Sequence, residues 1–110
     1  MATSWRYAFD MAIPKPPPIP PNLQRGTPEW NWWYPNVYRV SPWWGYIRRK
    51  AIDIQGNRCQ NEDCEDPGYP MNVHHERYVD ANGRWVLGRE HPMYDLTVLC
   101  RYCHAAEHGD

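Results

Sequence analysis

The clearest hydrophobic period lies in the middle of the chain. Trp44, Ile47, Ala51 and Ile54 fall three or four residues apart, with Trp43 and Tyr46 beside them and Arg48, Arg49 and Lys50 mostly opposite. That spacing is one buried stripe on an amphipathic helix with a basic face. Ser41 before Pro42 supplies an N-cap and a first-turn proline, and Gly56 supplies a stop, so a helix is predicted over 42–55. Farther on, residues 71–79 read as a strand with Val73 and Tyr78 as core candidates. Ala81-Asn82-Gly83 predicts a tight turn with 84–87 pairing back across it, and Pro92 ends that stretch. Residues 96–99 form a short apolar strand and 101–107 a closing helix. Helices and short strands in one small module make the class α+β.

The first forty residues lack such a period. Trp5, Tyr7 and Phe9 alternate, as a short strand or an extended arm would. The run Pro14-Lys15-Pro16-Pro17-Pro18-Ile19-Pro20-Pro21 must be extended, either as a stiff spacer or as a ligand for an aromatic groove on a protein partner. Five tryptophans follow within 28–46, interrupted by Pro28, Pro35 and Pro42, and the expectation there is an irregular aromatic wrap. Its rings either cover a small core or stack on unpaired bases. The chain is accordingly divided into a Pro- and Trp-rich irregular extension, 1–40, and a compact region, 41–110.

Composition sharpens this picture. Seven Trp and eight Tyr stand beside one Phe in 110 residues, so large rings and a covalent or metal staple must make up for a small core. The formal net charge of −1 does not by itself suggest a nucleic-acid partner. Its distribution says more: Arg48, Arg49, Lys50 and Arg58 face one Asp53, whereas 59–68 carry only acids. The basic helix face is either solvated or set against DNA phosphates. No stretch approaches the length of a membrane span, and the first residues have no long apolar run of a secretory leader. The expected setting is intracellular, where paired cysteines favour metal over disulfide.

The cysteines come as Cys59-x4-Cys64 and Cys100-x2-Cys103 with none left over. Two such turns complete a tetrahedron of thiolates, the geometry zinc accepts in a closed structural site. Histidines form a second set. His104 and His108 are four apart and share a helix face. His74 and His75 are neighbours on a strand and face opposite sides, so one can ligate while the other stands beside the site. Three imidazoles leave positions open on a metal, and the remaining histidine can take a proton from water. The plainer reading leaves His108 as a frayed surface residue and His75 as a strand residue satisfied by backbone.

At these residues the chain resembles the HNH endonuclease family, whose shared core is the ββα-metal finger. The match runs over 41–108 through Gly56-Asn57-Arg58-Cys59, Val73-His74-His75-Glu76-Arg77-Tyr78, Gly88-Arg89-Glu90, Asp95-Leu96 and Leu99-Cys100-x-x-Cys103-His104-x-x-x-His108. It is most similar to the small zinc-containing members common in phages and mobile elements. The resemblance implies a zinc-stapled ββα-metal core in which His75 is the general base and His74, His104 and His108 are ligands of a catalytic ion. Asp95 stands where the family usually carries Asn and would orient His75 through its backbone or side chain. The implied cofactors are a structural Zn2+ and a catalytic divalent ion (Mg2+, Mn2+, Ni2+ or Zn2+). The implied activity is DNA phosphodiester hydrolysis, with Arg48, Arg49 and Lys50 as phosphate contacts. The rival reading is a non-catalytic zinc module that binds nucleic acid or protein. The stretch 84–87 makes the link between strand and helix longer than in the shortest members.

Overall fold

A computed structural model describes residues 13–62, 64 and 71–107. The Trp5, Tyr7 and Phe9 arm, the turn-rich 65–70 loop and His108 lie outside the described residues. The chain divides into two compact units, Met1–Tyr46 and Ile47–Asp110, with the boundary inside the first long helix. Among the described residues the regular elements are three α-helices, one π-helical turn and a two-stranded antiparallel sheet, a small α+β arrangement. No helix among them is long and apolar enough to cross a membrane.

In the first unit, the aromatic segment is helical, which corrects the expected irregular wrap. Helix α1, Pro28–Trp33, starts at an N-cap that sequence reading passed over: Thr27 is extended, and its Oγ1 accepts the Trp30 N–H at 3.2 Å. Pro28 then fits the first turn, where its missing N–H costs nothing. The chain continues into a π-helical turn, Tyr34–Tyr38, closed by the Arg39 N–H on the Tyr34 carbonyl at 2.9 Å. Pro35 explains the widening. It has no N–H for the α-helical bond, and its ring crowds the preceding turn. Trp30, Tyr34 and Tyr38 are four apart and stack in succession, with ring centres 4.8 and 5.8 Å apart. Tyr38 is fully buried, and its hydroxyl accepts the Trp43 indole N–H at 3.1 Å, which satisfies both polar ends of the ring packing.

Helix α2, Pro42–Ile54, has the predicted ends. Ser41 Oγ accepts the Trp44 N–H at 3.2 Å. At the other end Gly56 takes φ +82°, its N–H bonds the Asp53 carbonyl, and Asn57 N–H bonds the Ile52 carbonyl, a Schellman stop. The buried stripe differs slightly from expectation. Ile54 is 46% exposed, and Gln55 is buried in its place. The inward line in the second unit is therefore Ile47, Ala51, Gln55, each four apart, and it ends on an amide rather than an aliphatic group.

That amide organises the second unit. Gln55 Nε2 donates to the Pro92 and Leu96 carbonyls, both at 2.8 Å, and its Oε1 accepts the Val98 N–H at 3.0 Å. It ties the helix end to strand β2, Leu96–Cys100, which pairs antiparallel with β1, Met71–His75. The register sets Val73 against Val98, His74 against Thr97 and His75 against Leu96. Arg48 reaches the edge of β1 and donates to the Met71 carbonyl at 2.9 Å. The expected strand to Val79 stops at His75, because β2 begins opposite it, at Leu96. Glu76 N–H makes a last bond to the Asp95 carbonyl, and the chain then leaves for a small hairpin. There Val79 bridges Trp85 around the Ala81-Asn82-Gly83 turn, as the sequence suggests, while Tyr78 is half-buried rather than core. Asp80 clamps the turn by accepting the Asn82 and Arg84 N–H groups and Arg89. Val86 and Leu87 are buried beyond it. Helix α3, Arg101–Glu107, follows β2 without a break.

Candidate metal centre and histidine pair

The Schellman stop at Gly56 throws the chain out of α2 and into the first cysteine pair. Gln60 holds this knuckle: its N–H bonds the Val98 carbonyl, and its amide donates to the Gln55 and Arg58 carbonyls. Cys64 closes a turn through its N–H on the Asn61 carbonyl at 3.0 Å. Across from it, Cys100 ends β2 and Cys103 lies in the first turn of α3, with Cys103 N–H directed at Cys100 Sγ at 3.5 Å. Two distant pairs thus converge. The sulfurs of Cys59, Cys64, Cys100 and Cys103 all lie within 4.8 Å of one another, none is in a disulfide, and they form a cluster that can hold a metal ion such as zinc.

The thiol chemistry of the cluster is uneven. The Cys103 amide, with further thiol hydrogen bonds, brings Cys100 down to about 7 against the resistance of burial. Asn61, which donates to Cys103 Sγ at 3.3 Å, pulls that thiol down, but Cys100, burial, Cys59 and Cys64 outweigh it and push it up to about 12. Four sulfurs this close cannot all ionise without a cation among them. That is the donor set a dication completes. An open cleft of about 300 Å³ beside Cys103 is lined by Gln60, Asn61, Glu76, Thr97 and Leu99, and takes in neither histidine.

Alternation along β1 separates the two adjacent histidines, as expected. His74 is half-buried on one face; His75 is buried on the other. His104, one residue past Cys103 in α3, comes to His74. Their ring centres are 5.4 Å apart at an interplanar angle of 72°, edge to face. Asn72, on the same face as His74, brings its Nδ2 to 3.3 Å from His104 Nδ1. The sequence offered no role for Asn72, although its place two residues before His74 on a strand was a usable sign.

Of the two implied routes from Asp95 to His75, side chain and backbone, the carboxylate is engaged elsewhere. His75 Nε2 lies 2.9 Å from Glu90 Oε2, with the two side chains 1% and 0% exposed. The imidazole also stacks on Tyr78, ring centres 4.9 Å apart. The Asp95 carboxylate goes elsewhere: Oδ1 accepts Arg77 Nε–H at 2.7 Å and Oδ2 accepts the His91 N–H at 2.7 Å. Burial works against its ionisation, but the His91 amide and the Arg77 guanidinium prevail and hold it below its usual value. Asp95 reaches the His75 strand through its backbone carbonyl, on Glu76. In the sequence Glu90 stands out only as part of Gly88-Arg89-Glu90. Of the basic triplet, Arg49 is exposed, Lys50 is half-buried, and Arg48 is engaged at Met71.

Comparison with known proteins adds no relative, since no family model, no curated protein and no solved structure matches the chain.

Proposed function

We propose that this chain is a metal-dependent DNA endonuclease, built on a ββα-metal core, that hydrolyses phosphodiester bonds. The observation that carries the reading is the pairing of His74 with His104, 5.4 Å apart, from β1 and α3. Two imidazoles on one tetrahedral ion, each nitrogen about 2 Å from it, put their ring centres about 5 Å apart. The pair therefore fits a shared ion, with His108 as the further ligand the helical spacing suggests. Such an ion (Mg2+, Mn2+, Ni2+ or Zn2+) would supply Lewis-acid charge to a phosphate oxygen at this face.

The thiolates fit a structural zinc by the same test. Zn–S bonds of about 2.3 Å place tetrahedral sulfurs about 3.8 Å apart, and Cys64 and Cys100 are 3.6 Å apart. In this role they clamp α3, and with it His104, against β1. His75 is the general base that takes a proton from the attacking water. Arg49, with Arg48 and Lys50, contacts backbone phosphate and holds the strand without reading bases. A reducing, intracellular setting belongs to the same proposal, supported by thiols kept for metal.

One observation favours the rival, a non-catalytic zinc module: the general base of the nuclease reading is shut away from solvent beside Glu90. Incubation of zinc-loaded protein with supercoiled plasmid and each of the four ions decides between them. The nuclease reading expects nicked or linear product, lost in His104→Ala while the zinc stays bound. Intact plasmid under every ion, or equal nicking by His104→Ala, overturns it.

A further inference from the structure

The turn from His91 to Asp95 carries large side chains that neither the core nor the reading above uses. Met93 is exposed, and Tyr94 is 73% exposed. Exposed loop tips ordinarily fray, but the backbone of this one is tied at every residue. Asp95 N–H donates to the His91 carbonyl at 3.0 Å, and the Asp95 carboxylate accepts the His91 N–H at 2.7 Å. The Pro92 carbonyl accepts the Gln55 amide at 2.8 Å. The Met93 and Tyr94 N–H groups both donate to His91 Nδ1, at 3.1 and 3.3 Å. The His91 ring also lies against Tyr94, ring centres 4.4 Å apart. A thioether and a phenol are thus held out in solvent on a stiff base, so ordering that base on binding costs little.

That base shows one sign of charge outward. Asp95 Oδ1 accepts Arg77 Nε–H at 2.7 Å, with the carboxylate nearly buried and the arginine side chain half-exposed. The pair turns its anion inward and its guanidinium toward solvent. The turn also lies near the histidine pair. Tyr94 precedes Thr97 by three residues, at most about 11 Å of chain, and Thr97 is the strand partner of His74. A ligand suited to this tip offers flat apolar surface with an anion beside it. A stacked base step flanked by phosphates has both.

We infer that Met93 and Tyr94 form a wedge that enters duplex DNA at a base step and opens its stack, while Arg77 holds a flanking phosphate. The inference deepens the proposed nuclease reading and rests on it for DNA as the ligand. Stacking on a ring tolerates every base, so the wedge selects steps that open easily, such as mismatches, gaps and flexible pyrimidine–purine steps, rather than a sequence.

The test is the affinity of the zinc-loaded full chain, by fluorescence anisotropy, for a short duplex and for the same duplex with a one-nucleotide gap. The gap removes the cost of unstacking, so wild type should bind it at least about tenfold more tightly. Tyr94→Ser and Met93→Ser should each shrink that preference and together abolish it, with zinc content, melting and the salt slope on the intact duplex unchanged. Arg77→Ala should do the reverse, keeping the preference and lowering the slope by about one unit. Equal affinity of wild type for the two duplexes overturns the inference and leaves the nuclease reading in place. So does a preference that survives both serine substitutions together. Self-association in sedimentation that is lost in Tyr94→Ser, without a gap preference, assigns the tip to a second copy and overturns the inference as well. Should a serine variant lose its zinc or its melt, the wild-type comparison of the two duplexes still decides. A wild type that binds neither duplex and cuts no plasmid removes the nuclease reading and the wedge together.

Discussion

Replacing Gln55 by Met tests how the second unit is held together. The two side chains are close in length and volume, so packing is largely conserved and the change isolates the hydrogen bonds. Three are lost: the donations to the Pro92 and Leu96 carbonyls and the acceptance of the Val98 N–H. Each is worth about 1 kcal/mol net, and a buried donor or acceptor left unmet costs about 1–3 kcal/mol. Val98 is fully buried and lies on a two-stranded sheet, so its N–H has little chance of a water partner. We expect a loss of about 3–5 kcal/mol, a large part of the ~5–15 kcal/mol that stabilises an ordinary domain. Urea unfolding followed by far-UV circular dichroism, at one fixed free zinc concentration, is the assay. The zinc must be fixed because bound metal adds its own mass-action stabilisation. The midpoint should fall with the slope unchanged. A Gln55→Met protein within about 1 kcal/mol of wild type would refute the argument, since that is what one exposed hydrogen bond is worth.

Three further outcomes follow from the geometry. Cys103→Ser should lower bound zinc below one equivalent and broaden or abolish the cooperative melt, read by elemental analysis and calorimetry, whereas a zinc-free wild type that melts cooperatively would contradict it. The low Asp95 carboxyl should contribute stability that is full above its unfolded value, about 3.9, and is lost as pH falls through the still lower folded value; the difference between wild type and Asp95→Asn should therefore be constant near neutrality and shrink in acid, and a difference independent of pH would remove the Arg77 pairing from the account. Arg49→Ala should reduce the salt slope of DNA binding by about one unit with unchanged melting, while Arg48→Ala should also lower the melting temperature because Arg48 holds the Met71 carbonyl.

What sequence reading recovered was local. Ser41-Pro42 and Gly56 are signals carried by the residues at the helix ends themselves, and α2 begins and stops there. The cysteine set was legible because thiols at such spacings have few other uses. The aromatic segment failed for a local reason too. Pro28 and Pro35 suggest breaks in the sequence, yet Pro28 is a start, and Pro35 is absorbed by widening one turn. The four-residue spacing of Trp30, Tyr34 and Tyr38 was the better guide. Glu90 and Gln55 were missed for a different reason. Glu90 meets His75 only when the hairpin folds back, and no period of strand or helix relates them. Gln55 could have been flagged as a polar residue at the four-residue step after Ala51, on a line otherwise apolar.

The arrangement makes the two candidate centres interdependent. Cys103 and His104 are adjacent in α3, a helix of seven residues that could not hold its shape alone. Its start is fixed by Cys100 and Cys103, and Asn61 reaches across from the knuckle to Cys103 Sγ. The other imidazole sits on β1, whose position depends on its pairing with β2 and so on the strand that ends at Cys100. A cation among the thiolates would therefore steady the distance between His74 and His104 from outside that pair. On the proposed function, any effect of that cation on an ion shared by the histidines would be returned by the same factor. The Asn72 contact to His104 adds a direct tie between β1 and α3, independent of any ion. The histidine pair is thus organised by the fold before its own ligand arrives. On the proposed function, this is the preorganisation that a site acting on phosphate would use.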